Sequence, residues 1–220
     1  GLYFLNGILP PLMLVLPVSI LSTLFRVVSD APFYQSMEHL PPSYRFALAL
    51  IVGDLGGYFG HRWCHQNPFL WKLHAVHHSA KAMDWLVNTR GNPIDVIVPR
   101  LCGLLPLYAL GLAQPVSTLG EAVAFYYILV GTLWSYFVHA NIRFRFGFLE
   151  HLLASPAFHH WHHANDDQRH LDKNFAALFP WIDRLFGTLL LPKRRWPASY
   201  GLAVRQLVDQ QSRLRESSDQ

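Results

Sequence analysis

Nine of the chain's thirteen histidines fall at spacings that suit metal ligation. His61 and His65 are four apart, and His74, His77 and His78 follow them. His139 stands alone at the end of a long apolar run, and His159, His162 and His163 repeat the i, i+3, i+4 spacing of the second group. On a helix, residues three and four apart share a face, so each group is expected to aim its imidazoles at one place. Neutral imidazole is the commonest nitrogen ligand of first-row transition metals. Nine such ligands are too many for one ion and suit two. Taken alone, the tract HHWHH at 159–163 fits a compositional bias that binds metal adventitiously. Three separate groups at helical spacing, each beside a hydrophobic segment, favour a built centre. Cys64 lies between His61 and His65 but out of step with them, and is read as packing on the other helix face.

The elements that must carry these residues are apolar. Hydrophobic residues make up 51% of the 220-residue chain and charged ones only 15%, below the roughly 25% of soluble domains. That deficit points to lipid. Four segments, 2–28, 44–60, 94–112 and 116–138, approach the length of about 20 helical residues that crosses a bilayer. Pro10, Pro11 and Pro17 imply a kink or short start helix in the first, and Pro99 and Pro106 make the third irregular. Gly53, Gly56, Gly57 and Gly60 allow close helix contact in the second. Asp54 lies inside it, where a carboxylate is expensive unless it faces a polar interior. A functional site and a helix–helix hydrogen bond suit it equally.

Of the eighteen Lys and Arg, only Arg26 and Arg45 lie near the 29–43 loop or the turn near 113–115. The other sixteen lie in or beside 61–100 and 143–215, with all nine patterned histidines. The positive-inside rule puts those stretches in the cytoplasm. The expected fold is therefore an all-α, multi-pass integral membrane protein: about four transmembrane helices capped by a cytoplasmic, helical, histidine-rich region formed by 61–92 and 139–206. Residues 1–206 form one domain, and the polar stretch 207–220 reads as a mobile tail. The first apolar run lacks the basic flank and cleavage site of a signal peptide. Two cysteines do not suggest a disulfide framework, and no nucleic-acid motif is present.

The order HRWCH, HAVHH, a lone His and HHWHH resembles the fatty acid hydroxylase and sterol desaturase superfamily of integral membrane di-iron enzymes. The flanks agree: Asp54 upstream of His61-Arg62, Pro68 and Trp71 before the second group, Ser79 after it, then Asp172-Lys173-Asn174-Phe175 and the stretch Trp181 to Thr188. The resemblance covers roughly residues 45–192. It implies that His61, His65, His74, His77, His78, His139, His159, His162 and His163 hold two irons, with Asp54, Asp172 and Asn174 as hydrogen-bond partners of the ligands. His160 offers an alternative register for the last group, and Asn92 stands where many relatives carry a histidine. Aromatic residues such as Tyr58, Phe59, Phe125, Tyr126, Tyr127 and Tyr136 either line a path for substrate or simply pack the helices.

The resemblance further implies O2 as co-substrate, a lipid-like substrate from the bilayer, and hydroxylation of a C–H bond by a non-haem di-iron monooxygenase. A separate ferredoxin- or cytochrome b5-type donor would dock against Arg143, Arg145, Lys193, Arg194 and Arg195, although the same charges serve as the topology signal. Desaturation starts from the same hydrogen abstraction. A non-catalytic metal-binding membrane protein is the alternative of another class. A transporter would place ionisable ligands near the bilayer midplane, where this chain offers only Asp54 and Glu121. Zinc also suits imidazole, so zinc in purified protein would not define the native metal.

Overall fold

Proline opens six helices of the chain, at Pro32, Pro42, Pro68, Pro93, Pro156 and Pro180. Proline's fixed φ suits the first helical turn, and its missing N–H costs nothing there. The computed structural model describes residues 32–113 and 118–204, together with 12–14, 16–21, 23–25 and 27. Its helices are α1 (Pro32–Glu38), α2 (Pro42–Gln66), α3 (Pro68–His78), α4 (Pro93–Ala109), α5 (Thr118–His139), α6 (Pro156–His162) and α7 (Pro180–Leu185). Short 3-10 turns occupy Trp85–Thr89, Gly147–His151 and Gln168–His170. Among the described residues there is no β-sheet, only an isolated bridge between Ala164 and Tyr200. The expected all-α class is what the described residues adopt.

The 25-residue α2 runs six residues past its expected membrane segment, and that overhang carries His61 and His65. Asn67 then turns the chain sharply. Its backbone N–H caps α2 through the Trp63 carbonyl, and its side chain accepts from the Phe69 and Leu70 N–H groups that begin α3. Asn92 caps α4 in the same way through Ile94 N–H. Ser155 caps α6 through Phe158 N–H.

α2 and α4 pack side by side because α2 presents glycine to α4. A Cβ on Gly56 would collide with the Cys102 carbonyl, and one on Gly60 would lie 2.8 Å from the Cα of Pro99. The Tyr127 ring of α5 fills the notch left by Gly53 and Gly103. Pro99 and Pro106 sit within α4 without ending it. One buried cluster (Ala49, Leu104, Leu107, Leu112, Val123, Ala124) joins these three helices. A second (Tyr58, Val138, Phe158, Phe175, Ile182) joins α2, α5, α6 and α7 next to the histidines. Arg45 is fully buried and donates to the Gly111 and Leu112 carbonyls just past α4.

Among the described residues, α5 alone carries a window long and apolar enough to cross a membrane, Ala122–His139, of mean hydropathy 1.3. The other expected spans are helical but do not meet that measure: 44–60 lies inside α2, and 94–112 coincides with α4. In the first, 2–28, the described residues between 12 and 25 are helical. Its Pro10 and Pro11, the tail 207–220 and the Gln114-Pro115 turn lie outside the described residues.

Gly56→Ala is expected to cost about 1–3 kcal/mol, because the new methyl meets backbone that cannot step aside. Gly57→Ala, whose Cβ finds nothing nearer than 3.8 Å, should be neutral or stabilising. Denaturant unfolding in detergent compares them, and equal losses would show that the α2–α4 approach is not limiting.

Candidate metal centre

The nine patterned histidines meet in two groups. His61, His65, His74, His78 and His162 form one, and His77, His139, His159 and His163 the other. Within each group the candidate ligand atoms lie within 4.8 Å of one another. The groups touch: the rings of His78 and His163 stack with centroids 4.4 Å apart.

Helical geometry explains the division. The expectation that each sequence group serves one place needs correction, because the i, i+3, i+4 triplets split. His74 and His78 point into the five-nitrogen group and His77 into the other. His159 and His163 point into the four-nitrogen group and His162 into the first. At 3.6 residues per turn, i and i+4 diverge by only about 40°, whereas i+3 and i+4 are about 100° apart. Each triplet therefore gives a pair to one site and a single ring to its neighbour.

Outer hydrogen bonds fix the rings. Nδ1 of His61 lies 2.9 Å from the Phe175 carbonyl. Nδ1 of His162 lies 2.7 Å from the Lys173 carbonyl, and that of His65 lies 3.0 Å from Asp172. In the other group, Nδ1 of His77 meets the Arg90 carbonyl at 3.0 Å and that of His139 the Ser135 carbonyl at 2.6 Å. His74 Nδ1 lies 2.8 Å from the carboxylate of Asp95. A carbonyl or carboxylate oxygen only accepts, so in these six rings Nδ1 carries the proton.

Burial then decides the charge. It pushes His61 down to about 3 and His77 to about 4, helped by repulsion from His74. Burial, with repulsion among neighbouring imidazoles, holds His78, His159, His162 and His163 well below the usual histidine range. Neutral rings protonated on Nδ1 have a bare lone pair on Nε2. His77 and His139 bring their Nε2 atoms to 3.2 Å. With both protons elsewhere, these are facing lone pairs, which repel unless a cation lies between them. His162 Nε2 is buried with no hydrogen-bond partner among the described residues. Inward lone pairs and outward N–H groups are the arrangement of metal-bound histidines, so these residues fit two metal ions.

One irregular segment supplies three of the outer acceptors. Asp172, Lys173 and Phe175 bind His65, His162 and His61 in turn. Asp172 and Asn174 adopt left-handed backbone, φ 57° and 59°, which Asp and Asn tolerate better than other side-chain-bearing residues. Asn174, fully buried, donates to the Phe158 and Leu190 carbonyls and accepts from Leu190 N–H. Five consecutive backbone amides then end on carboxylates. Phe175 and Ala176 donate to Asp183, and Ala177, Leu178 and Phe179 donate to Asp54.

Of the three expected partners of the ligands, Asp172 thus meets a ring directly. Asp54 and Asn174 instead bind backbone that shapes the segment behind the rings, because both lie a layer away from the imidazoles. Asp95, the partner of His74, was not among the expected residues. Its position in the first turn of α4, three residues after the Asn92 cap, was the available signal. His160 belongs to neither group: its Nε2 lies 3.2 Å from the Ala140 carbonyl and its Nδ1 2.9 Å from the Tyr200 hydroxyl. Cys64 is buried outside both groups, and burial pushes its thiol up to about 12. Asp84 and Asp167 cap the turns that follow them, and Asp166 holds His170.

Asp95→Asn and Asp172→Asn are expected to weaken metal retention by about 10–100-fold, the usual cost of losing an outer-shell acceptor. His160→Gln should leave metal content unchanged. Metal analysis after dialysis against graded chelator measures both, and metal loss in His160→Gln would redraw the ligand set.

Residues 46–188 match the fatty acid hydroxylase family. Ornithine lipid hydroxylase OlsE of Rhizobium tropici is 32% identical over 76% of the chain. Alkylglycerol monooxygenase of Danio rerio is 28% identical over 64% of it, and sphingolipid C4-hydroxylase sur2 of Schizosaccharomyces pombe 27% over 76%. The chain covers 47%, 29% and 56% of those proteins' own lengths. No solved structure matches the chain significantly. Its two histidine groups are thus carried on a sequence that belongs to the fatty acid hydroxylase family.

Proposed function

We propose that the chain is a membrane-embedded, di-iron, O2-dependent oxidoreductase that hydroxylates a C–H bond of a lipid-like substrate. The observation that carries this is the pairing of two all-histidine groups with inward lone pairs, in a chain of the fatty acid hydroxylase family. Iron, when bound, supplies the oxygen activation needed to break an unactivated C–H bond, which side-chain acid–base chemistry cannot do. The overall change consumes O2, two electrons and two protons, and yields the alcohol and one water.

The chain's own residues hold and shield the site. His61, His65, His74, His78 and His162 would hold one iron and His77, His139, His159 and His163 the other. Asp95 and Asp172 fix the orientation of two rings. Phe175 and Trp71 pack edge-on or tilted against His65 and exclude water from that side. The relatives' names refer to polar lipids, which supports a substrate of that class.

Membrane embedding is supported by the outer face of α5, where Phe125 and Leu133 are each 60% exposed beside Tyr126 and Leu129. Leu48, Ile51 and Phe59 of α2 continue the apolar surface. Such a contiguous face suits acyl chains better than water. With the Lys and Arg distribution, it favours four spans and a histidine region on the cytoplasmic side. Arg145 is committed to Glu150 and the Pro192 carbonyl. The exposed run Lys193-Arg194-Arg195 therefore remains for an acidic ferredoxin- or cytochrome b5-type donor.

Protein from iron-supplemented cells, purified without a metal-affinity step, is expected to carry about two irons per chain. His77→Ala and His162→Ala, one from each group, should each abolish turnover and lower the iron content. No metal in a folded chain would instead indicate a non-catalytic role. Mass spectrometry of the lipid product, reading gain of one oxygen against loss of two hydrogens, separates hydroxylation from desaturation.

A further inference from the structure

A cavity of about 760 Å3 opens on the far side of α6 from the metal groups. Its floor is the His160–Tyr200 pair. His160 follows His159 in sequence and contacts the carbonyl of Ala140, which follows His139. The cavity and the four-nitrogen group therefore share a wall. Lys81 and Arg143 line it from separate parts of the sequence, with Asn141. Among the described residues no Asp or Glu lines it. Among the described residues, neither Lys81 nor Arg143 forms an ion pair.

The nearby acids are already engaged. Asp166, electrostatically close to Tyr200, holds His170 and accepts from Ala198 N–H. Asp84, in an adjoining groove that shares Lys81, caps Leu86 N–H. A concave site with two cations and no counter-charge attracts an anion.

We propose that this cavity is an anion subsite that takes a phosphate or carboxylate group, and that the group it takes is the headgroup of the lipid substrate. The second half rests on the lipid hydroxylase reading above; the anion site itself does not. α5 ends at His139 and the cavity residues Asn141 and Arg143 follow directly, so a lipid lying along α5 with its headgroup at this end of the helix would meet Arg143 and Lys81. Lys and Arg recognise oxyanions by charge-assisted hydrogen bonds, with Arg able to bind two oxygens at once.

The test uses the full chain in neutral detergent, with binding measured calorimetrically at fixed ionic strength. The probes are dihexanoyl phosphatidic acid, dihexanoylglycerol and inorganic phosphate. The phosphatidic acid should bind about tenfold or more tightly than the neutral lipid, the scale of one charge-assisted bond. Lys81→Ala combined with Arg143→Ala should erase that preference, and Lys81→Arg combined with Arg143→Lys should keep it. Both side chains are exposed, so the fold is expected to survive, and melting temperature and metal content check that it does. Equal binding of anionic and neutral lipid, or a preference unaltered by the double alanine variant, would overturn the site. Inorganic phosphate binding as tightly as the lipid would keep the anion site and overturn the headgroup assignment. Because no turnover is read, a folded chain that carries no metal and still prefers the anionic lipid would overturn the hydroxylase reading while sparing the cavity.

Discussion

A neutral imidazole has one N–H and one lone pair, on opposite edges of the ring. Satisfying the first outside a cluster forces the second inward. Much of this molecule follows from meeting that condition for ring after ring in a small volume. Asp95, Asp172 and the carbonyls of Arg90, Ser135, Lys173 and Phe175 are the outer anchors, and they come from 90, 95, 135 and the single segment 172–175. The overhang of α2, the corner at Asn67 and the short α6 between its Ser155 cap and His163 are the devices that bring ring and anchor together. Buried imidazole is also cheaper than buried carboxylate in such numbers, because it enters the interior uncharged.

The segment behind the rings is irregular, so it has no ladder to satisfy its backbone. Carboxylates do that work instead. Asp54 and Asp183 between them take five successive amides, and Asn174 imitates a strand partner for Leu190. A strand there would aim the Lys173 and Phe175 carbonyls along one edge in the plane of the sheet and hold the Asp172 side chain perpendicular to that plane, so the three could not meet one cluster. The left-handed residues at 172 and 174 re-aim the chain at each step. The cost of burying Asp54 is thereby offset by several hydrogen bonds from N–H groups that would otherwise be stranded.

The nine ring positions were legible from spacing because a helix converts sequence interval into direction. What interval could not show was which site each ring enters, since that depends on how α3 and α6 face each other. Asp172 was legible from its flanks, whereas Asp54 and Asn174 were placed one layer too close. Sequence marks a polar residue as needing a partner without saying whether that partner is an imidazole or an amide. Asp95 escaped notice because an acid in a first helical turn has an ordinary explanation in the helix dipole. The helices α2, α4 and α5 followed from apolar runs. Those runs do not by themselves distinguish a lipid-facing helix from a buried one, and α5 alone clears the stricter measure.

The partnership of Asp54 with the amides of 177–179 also has a meaning in time. A chain is made from its N-terminus, and α2, α3 and their five histidines exist well before residue 162 is added. Until Phe175 and Lys173 are in place, His61 and His162 have no anchor to orient them. Orientation of these rings is therefore completed only once residue 175 has been added. A nascent chain truncated before that point would hold the histidines of α2 and α3 without the carbonyl of Phe175 and the carboxylate of Asp172 that turn His61 and His65 inward.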